Sequence, residues 1–289
     1  MIVTAPASSA NCGPGFDALA LAVDLPFKFA VGRAAEGQRS EGDLLRCEPS
    51  HPAAVAYREA GGVEDDLWWR SPIPPGRGLG FSGAARVAGA LAGAVEASGA
   101  DSPEIRERAL DVAARLERHP ENAAASMLGG FVVAAGGHAV RIPADLGELR
   151  LLLWWPSAET STRAARRLLP DQVAFDDAVF NVGRAALLVG AVAAGRFDLL
   201  GDATEDRLHT DLRLAANPVS KPVLDEWRAD PAVLAAWLSG SGPTVAALVR
   251  QGDAEVAEAR VESHEATTRV VAPARSGAVV ECPKSRNQS

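Results

Sequence analysis

Residues 75–85 read PGRGLGFSGAA, a proline turn and alternating glycines that run straight into small residues. No other stretch of the chain restricts its folding as tightly. Glycine adopts positive φ without steric cost and lets a second backbone come close. The run from Ser82 to about Ala97 is small and apolar, the pattern of a buried helix. A helix starting at Ser82 turns unpaired N–H groups, with about half a positive charge, back onto the loop. Such an end receives anions, phosphate above all. The same residues also suit a glycine turn ahead of a tightly packed helix, and this stretch alone leaves both readings open.

Two pattern matches fit less well. Gly78-Leu79-Gly80-Phe81-Ser82-Gly83 spells G-x-G-x-x-G, but a dinucleotide site follows an apolar strand, and here SPIPPGR precedes it. No Lys-Ser or Lys-Thr follows the glycines, so the loop is not a Walker A sequence. Two further loops favour the anion reading. Residues 6–17, PASSANCGPGFD, are rich in turn formers and end in an acid, and residues 238–244, LSGSGPT, join two apolar segments.

The chain has 289 residues, enough for one large domain or two joined subdomains. Apolar residues make up 47% and much of that is alanine, so alanine-rich helices on a sheet are expected. A net charge of −8 without a basic run argues against nucleic acid as a partner. Positive charge for an anionic substrate must therefore be local. Cys12, Cys47 and Cys282 have no metal-ligand spacing, and their odd number fits a reducing cytoplasm rather than a disulfide framework. No signal peptide is visible at the N-terminus, and the longest apolar runs, such as Ala185–Gly195, read as too short to span a bilayer. No membrane partner is expected.

Residues 1–35 read as strands broken by the NCGPGFD turn, and residues 51–60 as a helix. Ser102 followed by Pro103 is a helix start, running to about Leu116. A short helix at about 120–128 ends in Gly129-Gly130, before the strand and turn FVVAAGG. LRLLLWWP (149–156) reads as a buried strand, 162–168 and 176–195 as helices. LAAWLSG and TVAALVR are strands, 253–266 a charged amphipathic helix, and TRVVAPA a last strand before a polar tail. Helices and strands alternate, giving an α/β or α+β class, with a junction near residues 140–150.

Together the three loops resemble the three signature motifs of the GHMP kinases (galactokinase, homoserine kinase, mevalonate kinase, phosphomevalonate kinase). PASSANCGPGFDALALAV is similar to the opening PATSANLGPGFDxLGLAL of the homoserine branch, PPGRGLGFSGAA to the phosphate loop with its usual GLGSSAA, and LSGSGPT to LSGAGPT. Residues 117–130 resemble EGHPDNxxPxxxGG, residues 159–170 TSxxRxxLP, and residues 206–213 DxLHxxxR. The resemblance covers nearly the whole chain.

It implies an α+β fold with a ribosomal-S5-type N-terminal half (1–145), a ferredoxin-like C-terminal half (146–289) and ATP between them. It also implies a homodimer in the cytoplasm. The reaction implied is ATP- and Mg²⁺-dependent phosphorylation of a small alcohol, in the homoserine branch the hydroxyl of L-homoserine, a step of threonine biosynthesis. By position, Pro75-Gly76-Arg77-Gly78-Leu79-Gly80-Phe81-Ser82-Gly83-Ala84 would wrap the nucleotide. Ser82 and Asp111 would hold the metal, with Glu117 the alternative acid. Asn11, Asp17, His119, Asn122, Arg166, Arg213 and Gly242 would bind the amino acid, with Asp17 a partner for its ammonium. Ser82, Asp17 and Asn122 are the candidate catalytic residues. His209 reads as structural. The chain departs from the family at Phe81, where serine is usual, and at Gly83, Glu121 and Cys12. The departure at Phe81 leaves open a catalytically weak nucleotide-binding relative, and another small alcohol remains a second possibility.

Overall fold

The computed structural model describes residues 1–32, 44–259 and 266–281. Cys282, the polar tail and the last part of the expected helix 253–266 lie outside the described residues. The chain opens with β1 (Ile2–Ala10), the NCGPGFD turn and β2 (Leu19–Val31). These two long strands pair antiparallel from Ile2↔Ala30 to Ala10↔Ala20. Then come β3 (Leu45–Arg46), α1 (Pro52–Glu59), β4 (Leu67–Arg70) and the glycine loop. The loop feeds α2 (Phe81–Ser98), followed by α3 (Pro103–Glu117), α4 (Pro120–Leu128), β5 (Phe131–Ala135) and β6 (His138–Ile142).

Helix α2 is the spine of this half. Alanine, glycine, valine and leucine cover it all round, so it can only be buried. Two glycines permit the closest contact: a Cβ on Gly89 would stand 2.0 Å from the Ala53 carbonyl oxygen, and one on Gly93 2.2 Å from that of Tyr57. The backbone of α1 therefore lies directly on α2. Helix α3 starts as the sequence indicates, with the Ser102 hydroxyl accepting from Ile105 N at 3.4 Å and Pro103 in the first turn.

The second half runs β7 (Leu149–Pro156), α5 (Thr162–Arg166), α6 (Phe175–Ala194), α7 (Leu200–Ala203), α8 (Thr210–Ala216), α9 (Lys221–Ala229), β8 (Val233–Leu238), β9 (Val245–Arg250), α10 (Ala254–Ala259) and β10 (Ala266–Val271). Its strand order is β10-β7-β9-β8, all antiparallel. Numbered from β7, that is 4-1-3-2, the order of a ferredoxin-like split βαβ. The apolar run at 151–153 is buried on both faces of β7: Leu151 and Leu153 pack into one apolar cluster and Leu152 into another. The chain then returns to the first sheet. There β11 (Val279–Glu281) pairs with β1 through Ile2↔Glu281 and Thr4↔Val279. The first sheet thus has seven strands among the described residues, in the order β11-β1-β2-β4-β3 with β5 and β6 continuing from β2.

Helix α6 is 20 residues long, and an 18-residue window of it has a mean hydropathy of 1.4, long and apolar enough to cross a membrane by length and composition alone. The run Ala185–Gly195 is only its second half. The first half, from Phe175, carries Asp176, Asp177, Asn181 and Arg184 and is much less apolar. Only Asn181, Leu188, Ala191 and Val192 are buried in this helix.

Candidate active site

The three loops meet. The Asn11 side-chain amide donates to Gly240 O at 2.9 Å, the Ser9 and Ser239 hydroxyls lie 2.8 Å apart, and the Ser239 hydroxyl donates to Gly78 O at 2.7 Å. A Cβ on Gly78 would stand 2.3 Å from Ser239 O, and one on Gly80 would fall 1.9 Å from the Ser8 hydroxyl. Both glycines also hold φ near +70° (73° and 66°), so each is required twice over. Arg77 binds the end of β7, its Nε donating to Pro156 O at 3.2 Å. The glycine loop is thereby fixed between the two halves. Above it lies an open cavity lined by residues of all three loops.

At one end of the cavity, α2 begins at Phe81 with Gly80 as its cap and no side chain bonded to its first N–H groups. The Ser82 hydroxyl, one residue in, donates to Glu117 Oε1 at 2.8 Å. Glu117 ends α3 and also pairs with Arg86 of α2. Free N–H groups, a hydroxyl and a carboxylate with a cation behind it suit a phosphate chain and a small hard cation. The Phe81 ring packs edge-on against Phe27 and Trp69, both at 5.6 Å, and against His51 at 6.0 Å. Phe81 therefore anchors the start of α2 by packing, while its backbone keeps the place a serine would hold.

The other end carries the charges of a zwitterion. Asn11, Cys12 and Asp17 all have positive φ, the last at 55°, so the turn before β2 is a coiled loop held by Asn11 Oδ1, which accepts from Asp17 N at 3.1 Å. Asp17 pairs with Arg166 of α5. Arg166 and Arg213 flank the Phe16 ring, at 5.4 and 5.1 Å. Arg213 projects from α8, is 3% exposed, and donates to Gly240 O at 2.8 Å, while its Nε has no partner. Burial pulls the Arg213 pKa below its ordinary value. A buried guanidinium with a spare donor is a natural receptor for a carboxylate.

Arg213 is itself held from beneath. Its Nη1 lies 3.3 Å from His209 Nδ1, and His209 Nε2 donates to Gly13 O at 2.9 Å. Burial keeps His209 neutral, and the Asp206 carboxylate works against that. Asp206 Oδ2 caps the turn by accepting from His209 N and Thr210 N at 2.9 and 2.7 Å. His119 Nδ1 donates to the Glu117 carbonyl at 3.1 Å, and burial lowers its pKa too. Asn122 Oδ1 accepts from the Ser8 hydroxyl at 2.6 Å, and its amide donates to Glu121 Oε1 at 2.8 Å.

Most residues singled out from the sequence gather here: Asn11, Asp17, Gly76 to Ser82, His119, Asn122 and Arg213 line the cavity, and Arg166 borders it through Asp17. Five others are placed differently. Asp111 is exposed on α3 beside Glu59 and Arg108, in a separate hollow. It stands six residues before Glu117, nearly two turns back, on a different face, so the acid beside Ser82 is Glu117. Pro75, Gly83 and Ala84 do not line the cavity, and Ala84 N is spent on Gly80 O at 2.9 Å. Gly242 lies beneath Gly78, which its carbonyl approaches, and it is Gly240 and Ser241 that face the cavity. The sequence reading missed Ser8, Phe16, Arg86 and Glu121. Ser8 and Phe16 lie inside the first loop motif and Glu121 inside residues 117–130, where the motif alone gave them no role, and no spacing rule marks Arg86.

An uncapped helix start beside the Ser82–Glu117 pair faces the Asp17, Arg166 and Arg213 charges across two α+β halves, an arrangement that suits a small-molecule kinase. The N-terminal domain of GHMP kinases matches residues 50–130, and their C-terminal domain matches residues 188–266. The chain belongs to the GHMP kinase family. Among its relatives is a homoserine kinase of Streptomyces avermitilis, 38% identical over 96% of this chain and 95% of that protein. Another, of Thermus thermophilus, is 39% identical over 86% of each chain. The crystal structure of homoserine kinase from Cytophaga hutchinsonii matches the fold with a TM-score of 0.73 at 24% identity, over 96% of both chains.

Proposed function

We propose that the protein phosphorylates the hydroxyl of L-homoserine with ATP, giving O-phospho-L-homoserine and ADP on the way to threonine. The observation that carries this reading is one cavity with an uncapped helix start and the Ser82–Glu117 pair at one end and Asp17, Arg213 and Asn122 at the other. The free N–H groups of α2 hold the phosphate chain. Arg213, with its spare Nε, and Arg166 receive the substrate carboxylate, and Asp17 receives the ammonium. The amino acid thus replaces the ion pair that Asp17 and Arg166 make with each other. Asn122 directs the hydroxyl toward the phosphate loop. These groups work by alignment and charge rather than covalent chemistry.

Mg²⁺ fits the residues present. Ser82 Oγ and Glu117 Oε1 are hard oxygen donors 2.8 Å apart. Among the described residues there is no group of three or more His, Cys, Asp or Glu that would cage a metal. Few protein ligands, with phosphate and water completing the shell, is the habit of this ion. When bound, it neutralises charge on the phosphates.

The proposal extends to a homodimer in a reducing, cytoplasmic compartment. Cys12 and Cys47 are buried free thiols, and burial raises the pKa of both, Cys47 to about 11. A second copy is the occupant assigned to the outer face of α6.

ADP release by the purified protein with Mg·ATP, offered L-homoserine, L-threonine, mevalonate or pantoate, tests the activity. Turnover on homoserine is expected to exceed each of the others by at least about a hundredfold, the discrimination of sites that pair buried polar groups. Preference for another alcohol would replace the substrate, and nucleotide binding without turnover would remove the activity.

A further inference from the structure

Glu121 is the one buried carboxyl in the cavity wall that none of the roles above uses. It stands in the first turn of α4 and is 1% exposed. Its Oε1 accepts the Asn122 side-chain amide, and its Oε2 is buried with no partner. Asn122 is gripped from both sides, since its Oδ1 accepts from Ser8. Two such contacts decide which way an amide faces. The pair also abuts the phosphate loop, because a Cβ on Gly80 would meet Ser8 Oγ at 1.9 Å and Asn122 Oδ1 at 3.1 Å.

A carboxyl with one oxygen left without a hydrogen-bond partner is costly to bury. A cavity wall that needed only packing would hold an apolar side chain there. We propose that Glu121 is a positioning residue: its carboxylate fixes the Asn122 amide in the orientation that presents the acceptor hydroxyl to the phosphate loop. The inference rests on the kinase reading for what Asn122 does, but the Glu121–Asn122 contact can be tested without it.

Protonation provides the test. Burial raises the Glu121 carboxyl to about 7, with Asp17 adding to the rise and Arg166 and Asn122 opposing it. Arg213 and the buried Cys12 thiol also feel its charge. From the helices packed on α4 come Arg86 and Glu117, paired with each other, and His119 is the cap of α4 itself. Strands β2 and β6 carry Asp24, Lys28, His138 and Arg141, while β1 and β5 carry no ionisable group. An ionised carboxylate is the stronger acceptor for the amide, so the grip loosens as pH falls through this value. His119 titrates elsewhere, below its ordinary 6.5.

The experiment follows the Asn122 side-chain amide by ¹⁵N–¹H NMR across pH 5.5 to 9, in the full protein and in Glu121→Gln, with Asn122→Asp used to assign the signal. In the wild type the signal moves with a midpoint near 7, and in Glu121→Gln it does not move. In parallel, wild-type kcat on homoserine rises through the same midpoint. In Glu121→Gln it is flat and about tenfold below the wild-type plateau, about 1.4 kcal/mol on the barrier, while a non-hydrolysable ATP analogue binds within about twofold. Glu121→Asp keeps the charge and brings the titration back. The proposal is overturned if the Asn122 signal titrates alike with and without Glu121, or if the analogue loses as much affinity as kcat loses rate. If Asn122 titrates as described but homoserine is not turned over, the positioning contact stands and the substrate reading falls.

Discussion

The division of labour between Phe81 and Ser82 is the sharpest feature at the scale of single residues. Phe81 faces an aromatic cluster of Phe27, His51 and Trp69. Ser82 faces Glu117. Neighbours on a helix point about 100° apart, so one residue packs while the next serves the cavity. Ser82→Ala is expected to lower kcat on homoserine by tenfold or more, as loss of a charge-stabilising contact does, with little change in melting temperature. Phe81→Ser is expected to do the reverse, costing about 2 kcal/mol of stability through lost aromatic packing and leaving kcat nearly intact. Thermal melts and steady-state rates on both variants check the contrast. Equal loss of rate in both would mean the ring, not the hydroxyl alone, shapes the phosphate site.

Helix α6 poses the question for whole elements. Its exposed residues include Phe175 at 82%, Val179 at 55% and Val182 at 71%, spaced for one face. Gly183 and Gly190 have nothing within 4 Å of an added Cβ. A helix with a bare apolar face is a place for a partner. Val182→Asp is expected to give a monomer by light scattering where the wild type is a dimer, with kcat within about threefold because none of the stripe's residues lines the cavity. A wild-type monomer would sink the assignment of this face. How much of this was legible in the sequence follows from where the apolar residues fall. The segments of α2, α3, β7, β8 and β9 are written by unbroken apolar runs or by caps such as Ser102-Pro103. Strand β6 was not, because as an outer strand it exposes His138 and Arg141 and so has no apolar run. Helices α7 to α9 are short and amphipathic, held by tertiary contacts such as the Asp206 cap. Motif order located the site, but the acid beside Ser82 depended on the helical phase of α3, which a spacing of eight residues from His119 does not fix.

Across the whole molecule, the two halves are joined at the site by polar contacts: His209 to Gly13, Ser9 to Ser239, and Asn11 to Gly240. This joint is sensitive to acid. Burial lowers the His209 pKa, so the fold prefers the neutral ring and the unfolded chain binds the extra proton. The stability this supplies is present above the ordinary histidine value of 6.5 and drains away as pH falls below it toward the lowered folded value. His209→Gln is expected to flatten the fall in melting temperature between pH 6.5 and 5 relative to the wild type, and an unchanged slope would place the acid sensitivity elsewhere. The return of β11 to β1 has a different consequence. Strand β1 begins at Ile2, yet its partner on one side is residues 279–281. On the ribosome, β1 waits for residues 279–281, far later in the chain. The sheet therefore keeps an open edge from the synthesis of β1 until those residues emerge, and the nascent chain depends on whatever shields that edge in between.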